Sequence, residues 1–213
     1  MIVLRAKTVD FETTYINLRE KPDWFLQISP HGKVPVLSVD DEPLFESNAI
    51  AEYLDESIEP RLHPEDPIKR ARNRAWTDFV PDFSKGLRGV YYTKSPEETE
   101  KGLDGARKVL GKLEEALAQE RGNDGPYFNG DTICLVDAAY APFLQRFSMA
   151  DSKLKTGLLD KFPLVKAWRD ALLSDERITG SVPPEFDEAF VANLQRNGHY
   201  VGTLFDTGAE AAN

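Results

Sequence analysis

Glu59-Pro60-Arg61-Leu62-His63-Pro64-Glu65-Asp66-Pro67 is the stretch on which the fold turns. Its three prolines disfavour helix for the residue before each and stiffen the connection. Upstream of it short extended runs alternate with turn signals, and downstream nearly everything has the period of long helices. The spacing therefore predicts a small α/β domain over residues 1–58 and an all-helical domain over 66–213.

Upstream from the linker, Ser47 is expected to cap a helix in which Ile50, Tyr53 and Leu54 share one side at the i, i+3, i+4 spacing. Val34 to Val39 is nearly all apolar, which predicts a strand buried on both faces. Asp40-Asp41-Glu42-Pro43 turns it back into a brief partner at Leu44-Phe45. A short helix opens near Pro22, and Phe11 to Leu18, rich in Thr, Tyr and Ile, predicts another strand.

Downstream, Ile68, Ala71, Ala75, Trp76, Phe79, Phe83 and Leu87 recur at helical spacing, with Pro81 expected to kink the helix midway. Leu103, Ala106, Leu110, Leu113 and Leu117 alternate steps of three and four, the seam of a helix packed on another at a shallow angle. Gly122-Asn123-Asp124-Gly125-Pro126 ends that helix. A third runs from about Cys134 to Phe147. A fourth opens at Pro163 with Val165, Trp168 and Leu172 inward, and a last spans Pro184 to Arg196. Gly208 to Asn213 is expected to fray.

Composition narrows the function classes. A chain of 213 residues removes roughly 70% of its unfolded surface from water, so its core needs neither disulfide nor structural metal. A net charge of −10 and the lack of a long apolar run argue against a nucleic-acid or membrane partner. The lone Cys134 and the short apolar start, Met1 to Lys7, point to the cytoplasm. His31, His63 and His199 lie apart with no i, i+4 pair, so no metal site is expected. Gly102 and Gly105 lack the strand–loop–helix setting of a phosphate loop.

Lys21-Pro22-Asp23-Trp24-Phe25, Ser29-Pro30-His31-Gly32-Lys33-Val34-Pro35-Val36-Leu37 and Leu44-Phe45-Glu46-Ser47-Asn48-Ala49-Ile50-Ala51-Glu52-Tyr53-Leu54 resemble the glutathione-site segments of cytosolic glutathione transferases. The first of these leans toward the omega-like branch. Gly130-Asp131-Thr132-Ile133-Cys134-Leu135-Val136-Asp137-Ala138-Ala139 resembles the folding motif of the same family's helical domain, so the likeness covers nearly the whole chain. It implies an α/β plus all-α architecture: a thioredoxin-like glutathione-binding domain, incomplete at its start, followed by an all-helical bundle.

Glutathione carries carboxylates at both ends, an amine at one and a thiol between, so its site needs an extended-backbone partner and separate charge receptors. The resemblance implies a cis Val34-Pro35 peptide that turns the Val34 N–H and C=O outward to pair with the cysteinyl unit like an added strand. Ser47, starting a helix with unpaired N–H groups, suits the γ-glutamyl carboxylate, and Glu46 would then meet the amine. By the same resemblance Lys21 reaches the glycyl carboxylate, and Pro35 has a structural role.

Set against the family, Met1 to Lys7 resembles the end of the first helix. The first strand and most of that helix, roughly twenty residues by average element lengths, fall outside the match, and with them the family's activating Cys, Ser or Tyr. The catalytic residue is therefore unknown. The Phe11–Leu18 and Val34–Val39 strands would lack the partner between them. Either the natural chain begins upstream, or the sheet is rearranged or completed by another copy. Cys134 stands where the family carries the Ser or Thr that caps the third long helix, and Asp137, three residues on, can bond back to its N–H. Both are expected to be structural.

The function these readings imply is a glutathione-dependent transferase acting on small electrophilic or disulfide-bearing substrates by thiol transfer, deglutathionylation or conjugation. It would use glutathione as co-substrate and no metal, and assemble as a homodimer. The alternative is a non-catalytic glutathione-fold binding or assembly module.

Overall fold

The computed structural model describes residues 1–205, and the expected fraying of Gly208 to Asn213 lies outside the described residues. The chain divides into two compact units, Met1–Pro64 and Glu65–Asn213. The first holds α1 (Ile2–Ala6), α2 (Asp23–Ile28), β1 (Val36–Val39), β2 (Glu42–Phe45) and α3 (Ser47–Ser57).

β1 and β2 form an antiparallel two-stranded sheet that pairs Val36 with Phe45 and Val39 with Glu42. The connection is a two-residue turn, Asp40-Asp41, with both φ values positive at 50° and 66°. This is the geometry that matches a hairpin's twist and that Asp tolerates. Pro43 falls inside β2 opposite Ser38, a place open to proline because β2 is an edge strand. Val34 lies ahead of β1 rather than in it, and β1 is half-buried instead of buried on both faces. The reason is that α3 packs on the hairpin while its other face has no comparable cover among the described elements.

Phe11 to Leu18 forms no strand. The segment carries no ladder hydrogen bonds and leaves Tyr15 and Leu18 exposed. Strand propensity is realised only beside a neighbouring strand, and β1 and β2 pair only with each other.

The residue at the N-cap of α3 is Glu46, not Ser47, which is the first helical residue: the Glu46 carbonyl accepts the Ile50 N–H at 2.9 Å, and no side chain caps the helix. Its buried face holds Ile50, Leu54 and Asp55, while Tyr53 is exposed. The rotation toward Asp55 has an electrostatic cause. Lys7, just past α1, is buried and places Nζ 3.0 Å from Asp55 Oδ1 while donating to the carbonyls of Ile58 at 2.5 Å and Pro60 at 2.8 Å. Asp55 in turn accepts the N–H groups of Leu62 and His63, at 2.5 and 3.2 Å. The His63 Nε2 meets Glu52 Oε1 at 2.8 Å. Two buried charges persist only when paired and hydrogen-bonded, and this pair ties α1 to the end of α3 and to the 58–63 segment.

The second unit holds α4 (Pro67–Asp78), α5 (Val80–Tyr91), α6 (Pro96–Glu120), α7 (Leu135–Leu154), α8 (Pro163–Ser174), α9 (Glu176–Thr179) and α10 (Phe186–Arg196), with 3-10 turns at Leu158–Lys161 and Tyr200–Leu204. Proline sits in the first turn of α4, α5, α6 and α8, where its missing N–H costs nothing. Asp66 and Ser95 cap α4 and α6 by accepting the N–H of Lys69 and Glu98. Pro81 breaks the expected long helix at Phe79 instead of kinking it, so that α5 starts afresh.

The leucine seam of α6 is wholly buried, and α5 packs along it. A Cβ at Gly102 would stand 1.9 Å from the Gly89 carbonyl oxygen, so the two backbones touch there and only glycine fits. On α4 the apolar residues Ile68, Ala71 and Ala75 face solvent, and Asn73 and Thr77 take the buried face. Asn73 is held by Asn129 at 2.6 Å. Periodicity alone misassigned that face, because a hydrogen-bonded polar pair replaced the apolar contact. Among the described residues no helix is long and apolar enough to cross a membrane, and no group of His, Cys, Asp and Glu is placed to hold a metal ion.

Candidate functional site

The register of the hairpin gathers the residues of interest. Val36 faces Phe45, so Val34-Pro35, just before β1, and Glu46-Ser47, just after β2, emerge at the same end, away from the Asp40-Asp41 turn. The Val34-Pro35 peptide is cis, and Val34 is 49% exposed. Glu46 adopts φ 67°, the left-handed region that costs a non-glycine residue about 1–3 kcal/mol. Its side chain is 60% exposed and points away from any capping role. Ser47 begins α3, whose first N–H groups are free of helical partners.

The 29–33 loop closes the gap between these segments and Lys21. Ser29, itself buried, accepts the Lys33 N–H through Oγ at 3.0 Å and donates to the Lys33 carbonyl at 2.9 Å, which pins the loop at both ends. Gly32 turns with φ 55°, and the Lys21 Nζ lies 3.7 Å from where its Cβ would be. His31 rests edge-on against Phe45, with ring centroids 5.6 Å apart, and holds Nε2 4.0 Å from Glu46 Oε1. Lys21, Val34, Glu46 and Ser47 are thereby brought to one end of the hairpin. Sequence reasoning passed over Ser29 and His31, although their place inside the Ser29–Leu37 segment was a signal that they shape it.

Cys134 and Asp137 belong to the other unit. Asp137 is fully buried and accepts three N–H groups: Cys134 at 2.7 Å, Phe128 at 2.9 Å and the Trp168 indole at 2.6 Å. Burial pushes its carboxyl pKa up, while the donated hydrogen bonds pull it back. Burial, and then the Asp137 charge, push the Cys134 thiol well above its ordinary value, so at neutral pH it is neither a thiolate nor accessible.

The hairpin end offers an extended-backbone edge, a helix start and charges of both signs. Residues 1–56 match the family described as glutathione S-transferase, N-terminal domain, and residues 96–171 match glutathione S-transferase, C-terminal domain. Glutathione S-transferase U16 of Arabidopsis thaliana is 34% identical over 196 residues, spanning 88% of this chain and 82% of its own. Glutathione S-transferase omega-1 of Rattus norvegicus is 29% identical over 82% of this chain and 71% of its own. The structure of the tau class glutathione S-transferase from mango, Mangifera indica, superposes with a TM-score of 0.79 at 27% identity, covering 91% of this chain and 90% of that one.

The chain belongs to the glutathione S-transferase family, with a thioredoxin-like N-terminal domain and a helical C-terminal domain. Tau and omega relatives stand about equally near, so the omega-like leaning of Lys21–Phe25 is not singled out.

Proposed function

We propose that the chain is a glutathione-dependent transferase that holds the tripeptide at the open end of its hairpin and presents the sulfur to a small electrophilic or disulfide-bearing acceptor. The observation that carries this is the hairpin register, which sets the exposed cis Val34-Pro35 step beside Glu46-Ser47. The cysteinyl backbone would pair with the Val34 N–H and C=O, the γ-glutamyl carboxylate would take the first N–H groups of α3, and Glu46 would meet the amine. Lys21 would take the glycyl carboxylate. In conjugation the thiolate attacks carbon and displaces a leaving group; in thiol transfer it attacks a disulfide sulfur and releases the other sulfur as thiolate. The omega-like branch, which would favour disulfide-bearing acceptors, and a cytoplasmic setting are parts of the same reading.

Titration calorimetry with glutathione tests the site. Binding by the wild type is expected, with affinity about tenfold lower in Glu46→Ala through loss of one charge-assisted hydrogen bond. No heat with the wild type, or an unchanged affinity in the variant, overturns the site. Turnover with chlorodinitrobenzene or a mixed glutathione disulfide then separates the two functional readings. Cys134 cannot supply the nucleophile, since it is buried and its thiol is protonated. Binding without turnover would favour a glutathione-fold binding or assembly module.

A homodimer completes the proposal. The α6 seam is spent inside the helical unit, whereas Ile68, 65% exposed, with Ala71 and Ala75 leaves α4 an apolar line for a second copy. Light scattering is expected to give twice the 24.0 kDa of one chain, and a mass that stays at one chain rules the dimer out.

A further inference from the structure

An asparagine followed by glycine is open to attack by its own backbone, because glycine places no side chain beside the amide nitrogen. The pair occurs twice in this chain, at Asn129-Gly130 and Asn197-Gly198. The structure treats the two differently. Asn129 Oδ1 accepts from Asn73 Nδ2 at 2.6 Å, and Asn73 is 1% exposed. A Cβ at Gly130 would stand 2.6 Å from Asn123 Oδ1, so neither side chain nor backbone has room to turn there. Asn197, by contrast, is the exposed residue that ends α10. Its Nδ2 donates to the Asn193 carbonyl at 2.8 Å, and the Gly198 N–H donates to the Gln195 carbonyl at 2.9 Å. Both bonds belong to the last turn, where helices fray.

Lys94 separates the two sites further. Its Nζ donates to the Asn197 carbonyl from the loop between α5 and α6. When Gly198 N loses its proton, the negative charge is shared with that same carbonyl oxygen, so the ammonium stands where charge develops, as a donor does in an oxyanion site. Lys94 is itself held in place, because its own N–H donates to Glu98 Oε2 at 2.8 Å. Its Nζ would lie 3.8 Å from a Cβ at Gly198. The Asn129 carbonyl instead meets the neutral Gly122 N–H, at 3.4 Å.

We propose that Asn197-Gly198 is a self-modification site at which the Gly198 backbone nitrogen displaces ammonia from the Asn197 side chain while Lys94 holds the developing charge. Gly198 N gives its proton to solvent and bonds to Asn197 Cγ. The Cγ–Nδ2 bond then breaks, ammonia leaves with a proton drawn back from solvent, and a cyclic imide closes. Water opens the imide at either carbonyl, leaving an aspartate or an isoaspartate at position 197, with no oxidant or reductant consumed. The isoaspartate adds a methylene to the main chain just ahead of the His199 and Tyr200 N–H groups. Their bonds to the Leu194 and Thr93 carbonyls, at 2.9 and 2.8 Å, seat the buried Val201, so modification loosens residues 199–204. The site shares no residue with the glutathione site and stands or falls without it.

The test is peptide mapping by mass spectrometry of the whole folded chain held in mildly alkaline buffer, with isoaspartyl and aspartyl peptides separated by chromatography. Position 197 is expected to convert about tenfold or more faster than position 129, a preference that shrinks to within about threefold in urea, where neither Lys94 nor Asn73 acts. Lys94→Gln is expected to slow conversion at 197 about threefold or more and to leave 129 unchanged, whereas Lys94→Arg, which keeps a charged donor, stays within about twofold of wild type. Conversion at 129 as fast as at 197 in the folded chain overturns the proposal. So does a Lys94→Gln rate equal to or above that of wild type, which would mean that Lys94 only ties down the helix end. Amide exchange at Tyr200 is expected to quicken in the isoaspartyl form, and unchanged exchange overturns the loosening of 199–204.

Discussion

The two units handle a buried carboxylate differently. In Met1–Pro64, Asp55 is met by a full counter-charge, Lys7, inside a thin apolar layer made by Ile2, Val3, Leu4, Phe25, Ile50, Leu54 and Leu62. In the helical unit Asp137 makes no ion pair within contact distance among the described residues, Arg121 acting on it only at longer range, and is held by three N–H donors within an aromatic core of Phe128, Tyr140, Phe147 and Trp168. The first solution lets a short chain segment bridge α1, α3 and the 58–63 segment, because Lys7 reaches several acceptors at once. The second lets one side chain fix three strangers in sequence: a loop at Phe128, a helix start at Cys134 and the middle of α8 at Trp168. A carboxylate with a counter-ion depends on its partner, and one held by dipoles depends on every donor around it.

The largest effect that distinguishes these arrangements is expected from Asp137→Ala. It strands two buried backbone N–H groups and an indole N–H, together worth about 4 kcal/mol by the cost of unsatisfied buried donors. Cys134→Ser, which restores a capping hydroxyl at the same helix start, is expected to cost less than about 1 kcal/mol. Denaturant midpoints followed through Trp168 decide it. Equal losses in the two variants would show that Asp137 is one cap among several, not the centre of the unit.

Lys7→Met comes next, at about 3 kcal/mol, because it leaves Asp55 buried without its counter-ion. Trp24 is the tryptophan of the first unit, so its fluorescence reports the loss there. Adding Asp55→Asn to Lys7→Met removes the stranded charge while its amide oxygen keeps an acceptor for the Leu62 N–H, though not for the His63 N–H as well, and is expected to recover part of the stability. A Lys7→Met protein as stable as wild type would mean that the apolar layer alone holds the unit, and the contrast with Asp137 would collapse.

What could be read in advance follows the same division. Helical positions in the second unit were legible because apolar residues at fixed spacing leave one face to bury: Leu103 through Leu117, then Val165, Trp168 and Leu172, are all inside. α4 escaped that logic because Asn73 paired with Asn129, 56 residues away, a contact that no local pattern encodes. In the first unit the hairpin and the residues around it were legible through turn chemistry at Asp40-Asp41 and the proline at 35. The Lys7–Asp55 pair was not, since a lone lysine reads as a solvated charge until the fold removes its water. Phe11 to Leu18 was misread for the converse reason: its propensity suits a strand, but ladder bonds come from a partner.

The smallest expected effect touches the hairpin end and has opposite signs for stability and function. Glu46 sits at φ 67°, where a Cβ is strained by about 1–3 kcal/mol, and its exposed side chain makes no capping bond that would offset this. Glu46→Gly relieves that strain but gives the unfolded chain more freedom, worth about 0.5–1 kcal/mol, so a net stabilisation of about 0.5–1 kcal/mol is expected. His31 loses only a contact at 4.0 Å between two exposed groups, which contributes little. If Glu46 is kept for a ligand, glutathione affinity should fall about tenfold in the same variant that melts at a higher denaturant concentration. A Glu46→Gly protein that is less stable would show that the Glu46 side chain supports α3 itself, and the strain at its backbone would then have a structural cause rather than a functional one.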